Sequence, residues 1–119
     1  MTVRDEHGAV TAYAMSLVVL LVLGALVAAQ IAGLLRLRHQ AASAADLAAL
    51  AATRASVTGH DGCAAARELA RRNHADVVRC RMDYDVATIT ARAESERWWG
   101  HRFAFESTAR AAPEFYLAE

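Results

Sequence analysis

The segment GAVTAYAMSLVVLLVLGALVAAQIAGLL, Gly8 to Leu35, contains no charged residue. An apolar run of this length reads as a membrane-spanning helix, because ~20 residues rising ~1.5 Å each cross a ~30 Å hydrocarbon core. The helical pattern does not stop there. It continues through Arg36-Leu-Arg-His-Gln40 into Ala41-Ala-Ser-Ala-Ala-Asp-Leu-Ala-Ala-Leu-Ala-Ala-Thr-Arg-Ala55, and no proline occurs between Ala9 and Gly59. A helix of nearly fifty residues would be roughly 70 Å long, more than twice what a bilayer uses. We therefore expect one helix over 9–57, spanning the membrane over about 12–35 and continuing outside it.

With 119 residues in all, about sixty remain after that helix, enough for one small domain over 58–119. Thirteen basic residues, all arginine, balance thirteen acidic ones, so electrostatics gives no case for nucleic-acid binding. Both cysteines, Cys63 and Cys80, follow the apolar run. An even count beyond an anchor fits an oxidising extracytoplasmic compartment and one disulfide.

The N-terminus does not read as a cleaved secretory signal: Arg4 is offset by Asp5 and Glu6, and the apolar run is too long. Topology draws two conflicting signals. Arg36, Arg38 and Arg54 after the span outnumber Arg4 before it, which by the positive-inside rule would keep the domain in the cytoplasm. The cysteines favour the opposite side, and we follow them.

Two ridges of small residues run along the span: Gly24, Ala28, Ala32 and Ala25, Ala29, Gly33. Such spacing lets helix backbones approach closely in lipid, where packing drives association. Beyond the membrane, Ala41, Ala45, Ala48, Ala52 and Ala55 continue a seam flanked by Leu47 and Leu50. That spacing suits a helix laid against another helix or against its own domain.

The turn cluster Thr58-Gly-His-Asp-Gly62 ends the rod. A second helix is expected over Cys63–His74, with Ala66, Leu69 and Ala70 on its apolar face, Asp61 as N-cap and Asn73 in the left-handed position at its end. Three alternating segments follow. Val78, Cys80, Met82 and Tyr84 share one face of the first, while Ala87, Ile89, Ala91 and Ala93 share one face of the second. Phe103, Phe105, Ser107, Ala109 and Ala111 share a face of the third. Period two predicts half-buried strands, and the short connections at 83–85 and 95–100 predict antiparallel hairpins. Pro113 ends the last strand. The fold class is thus α+β: a long N-terminal helix, then one short helix and a three-stranded antiparallel sheet whose apolar face that short helix should cover.

Chemistry is hard to find. His60, Cys63, His74 and Cys80 form a Cys₂His₂ set, but the spacing H-x2-C-x10-H-x5-C matches no compact zinc motif. A Cys–His nucleophile would need a pocket and an orienting third group. No phosphate-cradling glycine loop or paired-carboxylate site is present, so we expect a non-enzyme without cofactor, metal or small-molecule substrate. Trp98-Trp99, in the second hairpin, reads equally as a contact patch or as a pair with one ring capping the core.

A polar leader and Gly8 precede the apolar helix, Gln40-Ala-Ala-Ser-Ala-Ala-Asp46-Leu-Ala-Ala-Leu-Ala52 follows it, and Gly62-Cys63-Ala-Ala-Ala, Asn73 and the Cys80 strand come after. In this order the chain resembles the TadE-like pseudopilins of actinobacterial tight-adherence (Flp-type) pilus and secretion loci. The resemblance covers nearly the whole chain, and its most specific part is Gln40–Ala52 combined with the Cys63/Cys80 pair. It implies a minor pilin or pseudopilin with residues 1–8 as leader in the cytoplasm and the domain outside. It also implies cleavage between Gly8 and Ala9 by a prepilin peptidase, and other pilin subunits and the assembly platform as partners. Tyr13 departs from the pattern, standing where related pilins carry the glutamate five residues past the cut. The alternative function is a single-pass membrane-anchored binding or regulatory protein with a disulfide-stapled extracytoplasmic domain.

Overall fold

The computed structural model describes residues 4–97 and 100–116. In chain order these form α1 (Arg4–Val57), α2 (Gly62–Arg72), β1 (Asp76–Asp83), β2 (Val86–Glu94), β3 (Ala104–Ala111) and a single 3-10 turn at Glu114–Tyr116. The strands make one antiparallel sheet in the order β1-β2-β3. The α+β architecture is the one the sequence predicts. The chain divides into two compact units, Met1–Gly33 and Leu34–Glu119.

In the first unit every side chain from Gly8 to Gly33 is exposed. Val10, Leu17 to Leu23, Leu26, Val27 and Ile31 are therefore left uncovered by the described residues. Ser16 returns its hydroxyl to the Tyr13 carbonyl at 2.8 Å, which satisfies one polar group without water.

The second unit explains why the chain keeps alanine after the apolar run. Leu37, Ala41, Ala44, Ala45, Ala48, Ala49 and Ala52 are buried, all on the part of α1 that lies in this unit. They pack in two clusters. Leu37, Ala41, Ala44 and Ala45 meet Ala75, Ala91 and Ala93, with Phe105 and Ala109 against them. Ala48, Ala49 and Ala52 meet Ala66, Ala70, Ala87 and Ile89, with Val77, Cys80, Met82 and Ala111 at the margin. The seam is used inside the chain, against its own sheet and α2. The sheet's apolar face is accordingly shared between α1 and α2 rather than covered by α2 alone. From the pattern alone α2 is the expected cover, because it follows the turn and lies nearest the strands in the chain. Leu47 and Leu50 flank the seam on its exposed side.

Polar tethers fix the same arrangement. The Gln40 amide donates to the carbonyls of Asn73 and His74, both at 3.3 Å. Thr53 Oγ1 donates to the Ala111 carbonyl at 3.2 Å, and Ser56 Oγ donates to Asp85 Oδ1 at 2.7 Å. Along α1, then, Gln40 marks the end where α2 finishes and Ser56 the end where the β1–β2 turn sits.

Both helix ends show how the local sequence terminates them. At the end of α1, Gly59 takes φ 80°. Its N–H bonds the Ser56 carbonyl, and the His60 N–H bonds Ala55, a paired closure that needs a left-handed residue. Asp61 caps α2, accepting from the Ala64 N–H at 3.2 Å. At the other end of α2 the left-handed residue is His74 (φ 57°), not Asn73 (φ −100°). Asn73 instead closes the helix with its side chain, which donates to the Leu69 carbonyl at 2.8 Å, while His74 N–H and Ala75 N–H bond Arg71 and Ala70. A non-glycine residue there costs about 1 kcal/mol, offset by the Gln40 amide, which donates to the carbonyls of Asn73 and His74 themselves.

Two strand details also differ from the alternation read in the sequence. Val77 pairs with Ala91 and Arg79 with Thr90, so Val78 is the extra residue of a β-bulge. The bulge turns Val78 outward, 43% exposed, and leaves Val77, Cys80 and Met82 against the core. Tyr84 belongs to the turn rather than to the apolar face: it takes φ 57° and is 91% exposed. Phe103 likewise precedes β3 and is exposed. Ala87, Ile89, Ala91 and Ala93 are all fully buried on central β2, where Thr90 on the opposite face is buried as well.

Candidate functional site

Cys63, in the first turn of α2, and Cys80, in the middle of β1, are joined by a disulfide with Cα atoms 5.9 Å apart. Asp61 fixes the start of α2, and the bulge at Val78 sets the register that turns Cys80 inward. The bond therefore staples helix to sheet beside the Ala66–Ala70–Ile89 cluster. Core burial there consists mostly of alanine methyls, and Ile89 is the one large side chain fully enclosed among the described residues. Closing a loop of 17 residues is worth about 3 kcal/mol in the chain-entropy model, a large term beside so thin a core.

Gly62, immediately before Cys63, lies where α2 crosses α1. A Cβ built there would stand 2.8 Å from the Ala52 carbonyl oxygen and about as close to the tip of Met82, at 3.1 Å from Sδ. Nothing in the sequence pattern announces this contact, since Gly62 also reads as part of the Thr58–Gly62 turn cluster.

The small-residue ridges Gly24, Ala28, Ala32 and Ala25, Ala29, Gly33 lie wholly in the first unit and are exposed. A Cβ at Gly24 or Gly33 would meet nothing within 4 Å. Gly8 and Ala9 sit inside α1, which begins at Arg4. Tyr13 is 80% exposed. Trp98 and Trp99 lie outside the described residues. His60 Nδ1 is 3.0 Å from Thr58 Oγ1 in the turn after α1, and His74 is exposed at the end of α2. The zinc set is thus not assembled: both sulfurs are in the disulfide.

On the open side of the second unit, Asp46, Ala49 and Leu50 of α1 and residues 109–112 line a shallow groove of about 240 Å³. The other sheet face carries exposed Arg79, Arg81 and Arg110 and half-buried Thr88, and Thr90, itself buried, shares a hydrogen bond with Thr108 across β2 and β3 at 2.8 Å. On α2, Arg72 and Arg71 flank Glu68 at 3.1 and 2.6 Å. Their hydrogen bonds and charges, Arg72's first, hold its carboxyl below the ordinary glutamate range. These are solvated ion pairs on a helix surface, not a catalytic constellation.

Residues 8–67, the uncharged helix, its alanine continuation and the start of α2, match the Tad family, described as “Putative Flp pilus-assembly TadE/G-like”. The chain belongs to this family. No curated protein and no solved structure matches it. The matched region covers all of α1 from Gly8 on and ends within α2, so the β-sheet lies beyond it. The Tad family is a structural, pilus-assembly family, and α1 is long and apolar enough to cross a membrane. The chain is a pilus-related membrane component.

Proposed function

We propose that this TadE-like chain is a minor pilin or pseudopilin, anchored in the cytoplasmic membrane by the first part of α1, with its α+β domain extracytoplasmic. It joins a pilus or secretion pseudopilus through that same helix. The observation that carries the reading is the unequal use of α1. From Leu37 onward one face is buried in the chain's own domain, whereas residues 8–33 leave every side chain exposed. A bilayer can cover that segment during storage, and neighbouring helices can cover it after assembly, the small-residue ridges allowing close approach. The disulfide supports an oxidising location for the domain.

Processing between Gly8 and Ala9 belongs to the same proposal. Because α1 runs through this site, a peptidase would first unwind the turn around it. Mass spectrometry of the mature N-terminus is the test. A chain beginning at N-methylated Ala9 supports the pilin reading. A chain retaining Met1 or Thr2 favours the membrane-anchored binding protein, in which Tyr13 needs no glutamate to neutralise a neighbouring amino terminus.

A further inference from the structure

The sheet of the second unit ends in two unlike edges. On β1 the register slips at the Val78 bulge, and exposed Arg79 and Arg81 follow it. A bulge and charged side chains both blunt an edge against further pairing. On β3 the register with β2 runs unbroken from Ala104 to Ala111. Among the described residues no strand pairs with its other side. A straight edge of unpaired N–H and C=O groups is a template for another strand, and Pro113, which has no N–H, marks where such pairing must stop.

The edge sequence, Ala104-Phe-Glu-Ser-Thr-Ala-Arg-Ala-Ala112, is complementary to itself about its centre. Antiparallel pairing of two copies about Thr108 sets Glu106 opposite Arg110 on both sides of the two-fold axis. The same register sets Thr108 opposite Thr108, Ser107 opposite Ala109, and Phe105 opposite Ala111. Glu106 and Arg110 are exposed, and neither makes an ion pair among the described residues. Centring the pair on Glu106 or on Arg110 would put like charges face to face. Centring it on Ser107 or Ala109 leaves both charges opposite neutral residues. Opposite charges directly across two strands stabilise the pair and like charges destabilise it, so the register about Thr108 is selected.

The face toward α1 fits the same register. Phe105, Ala109 and Ala111 all point to that face, where Asp46, Ala49, Leu50 and residues 109–112 line the groove of about 240 Å³. A second copy's Phe105, opposite Ala111 on a strand ~4.8 Å away, arrives beside this groove. Leu50, 48% exposed, is there to receive the ring.

We infer that β3 is a self-pairing edge, through which two copies of this chain join antiparallel about Thr108, each seating its Phe105 against Ala111 and Leu50 of the other. The inference is independent of the role proposed for residues 8–33. One strand edge and one ring on each side fall short of the ~1,200 Å² of a standard interface, so the domain is a monomer when dilute and pairs where copies are concentrated. The two-fold closes the contact, and the edge is used up without propagating.

Sedimentation equilibrium of the full-length oxidised protein in density-matched detergent reads the association. The expected result is a concentration-dependent monomer–dimer equilibrium. Glu106→Arg sets two arginines opposite each other at both pairs and should weaken dimerisation about tenfold. Adding Arg110→Glu to that variant restores opposite charges with their signs exchanged, and should return the parent's dimerisation constant. A chain that stays monomeric at every concentration would overturn the inference. So would a dimer indifferent to Glu106→Arg, as one held by its membrane helices or by β1 would be, or a double variant as weak as the single one.

Discussion

Replacing Gly62 by alanine separates a packing role from a turn role at the junction of α1, α2 and β1. The new Cβ would lie 2.8 Å from the Ala52 carbonyl oxygen, where ordinary contact begins at 3.4 Å, and 3.1–3.2 Å from Sδ and Cε of Met82. Met82 ends in a flexible thioether and can yield. The Ala52 carbonyl cannot: it is backbone of a helix whose flanking residues, Ala48 and Ala49, are themselves fully buried. Relief therefore requires α2 to shift away from α1, opening contacts around Ala66 and Ala70. Overpacking of this kind costs about 1–3 kcal/mol. Alanine's better helix propensity returns up to about 1 kcal/mol, and less at the first position of a helix. The expected net loss is about 1–2 kcal/mol, which lowers a urea midpoint by about 1 M for a domain of this size. Pulse proteolysis in urea on the detergent-solubilised, disulfide-intact chain reads that midpoint. Gly8→Ala, where the added Cβ meets nothing, is the control and should remain within about 0.5 kcal/mol of the parent. A Gly62→Ala midpoint equal to or above the parent's would refute the close approach of α2 to α1.

Three further outcomes are expected. Ile89→Ala removes the one large fully buried side chain among the described residues. Its fully buried neighbours are alanines that cannot extend to fill the space, and its β1 partner Cys80 is held in the disulfide, leaving Met82 as the flexible side chain beside the cluster. The loss should therefore be about 3 kcal/mol, measured by the same urea titration; a loss below 1 kcal/mol would contradict the assigned core. Replacing Cys63 and Cys80 together by serine should cost about 3 kcal/mol while leaving the domain's backbone contacts in place, checked by denaturation of the oxidised parent beside the variant. The Glu68 carboxyl, flanked by Arg72 and Arg71, should titrate below an unstructured glutamate. Its stabilising contribution is then complete above the unfolded-state pKa and is lost as pH falls through the folded one. NMR titration reads the midpoint, which added salt should raise toward the ordinary value.

The sequence carried the large features because each had a strong physical signal. An uncharged run from Gly8 to Leu35 has few explanations, and β2 alternates without error because one of its faces is fully buried. The details it concealed are those decided by small differences. Val77 and Val78 are adjacent and equally apolar, so nothing local tells which points inward once a bulge is possible. Asn73 is the residue more often found in a left-handed cap, yet the clasp of Gln40 on the carbonyls of Asn73 and His74 moves that conformation to His74. The alanine seam was legible as a packing surface, but its partner was not. Alanine fits a neighbouring helix as well as a sheet, and only tertiary contacts with Ala87, Ile89, Ala91 and Ala93 reveal which it meets. Gly62 was hidden for the same reason, its constraint coming from a residue ten positions away on another helix.

On the proposed function α1 is divided in use: the exposed residues before Leu34 serve the bilayer and partner subunits, whereas from Leu37 on one face is buried in the chain's own domain. The direct measurement is amide hydrogen exchange on an oxidised fragment comprising residues 34–119. The account predicts a soluble monomer in which the amides of Ala41 to Thr53 are protected as strongly as those of β2, independent of protein concentration. A fragment in which that stretch exchanges freely, or becomes protected only as the fragment self-associates, would contradict it.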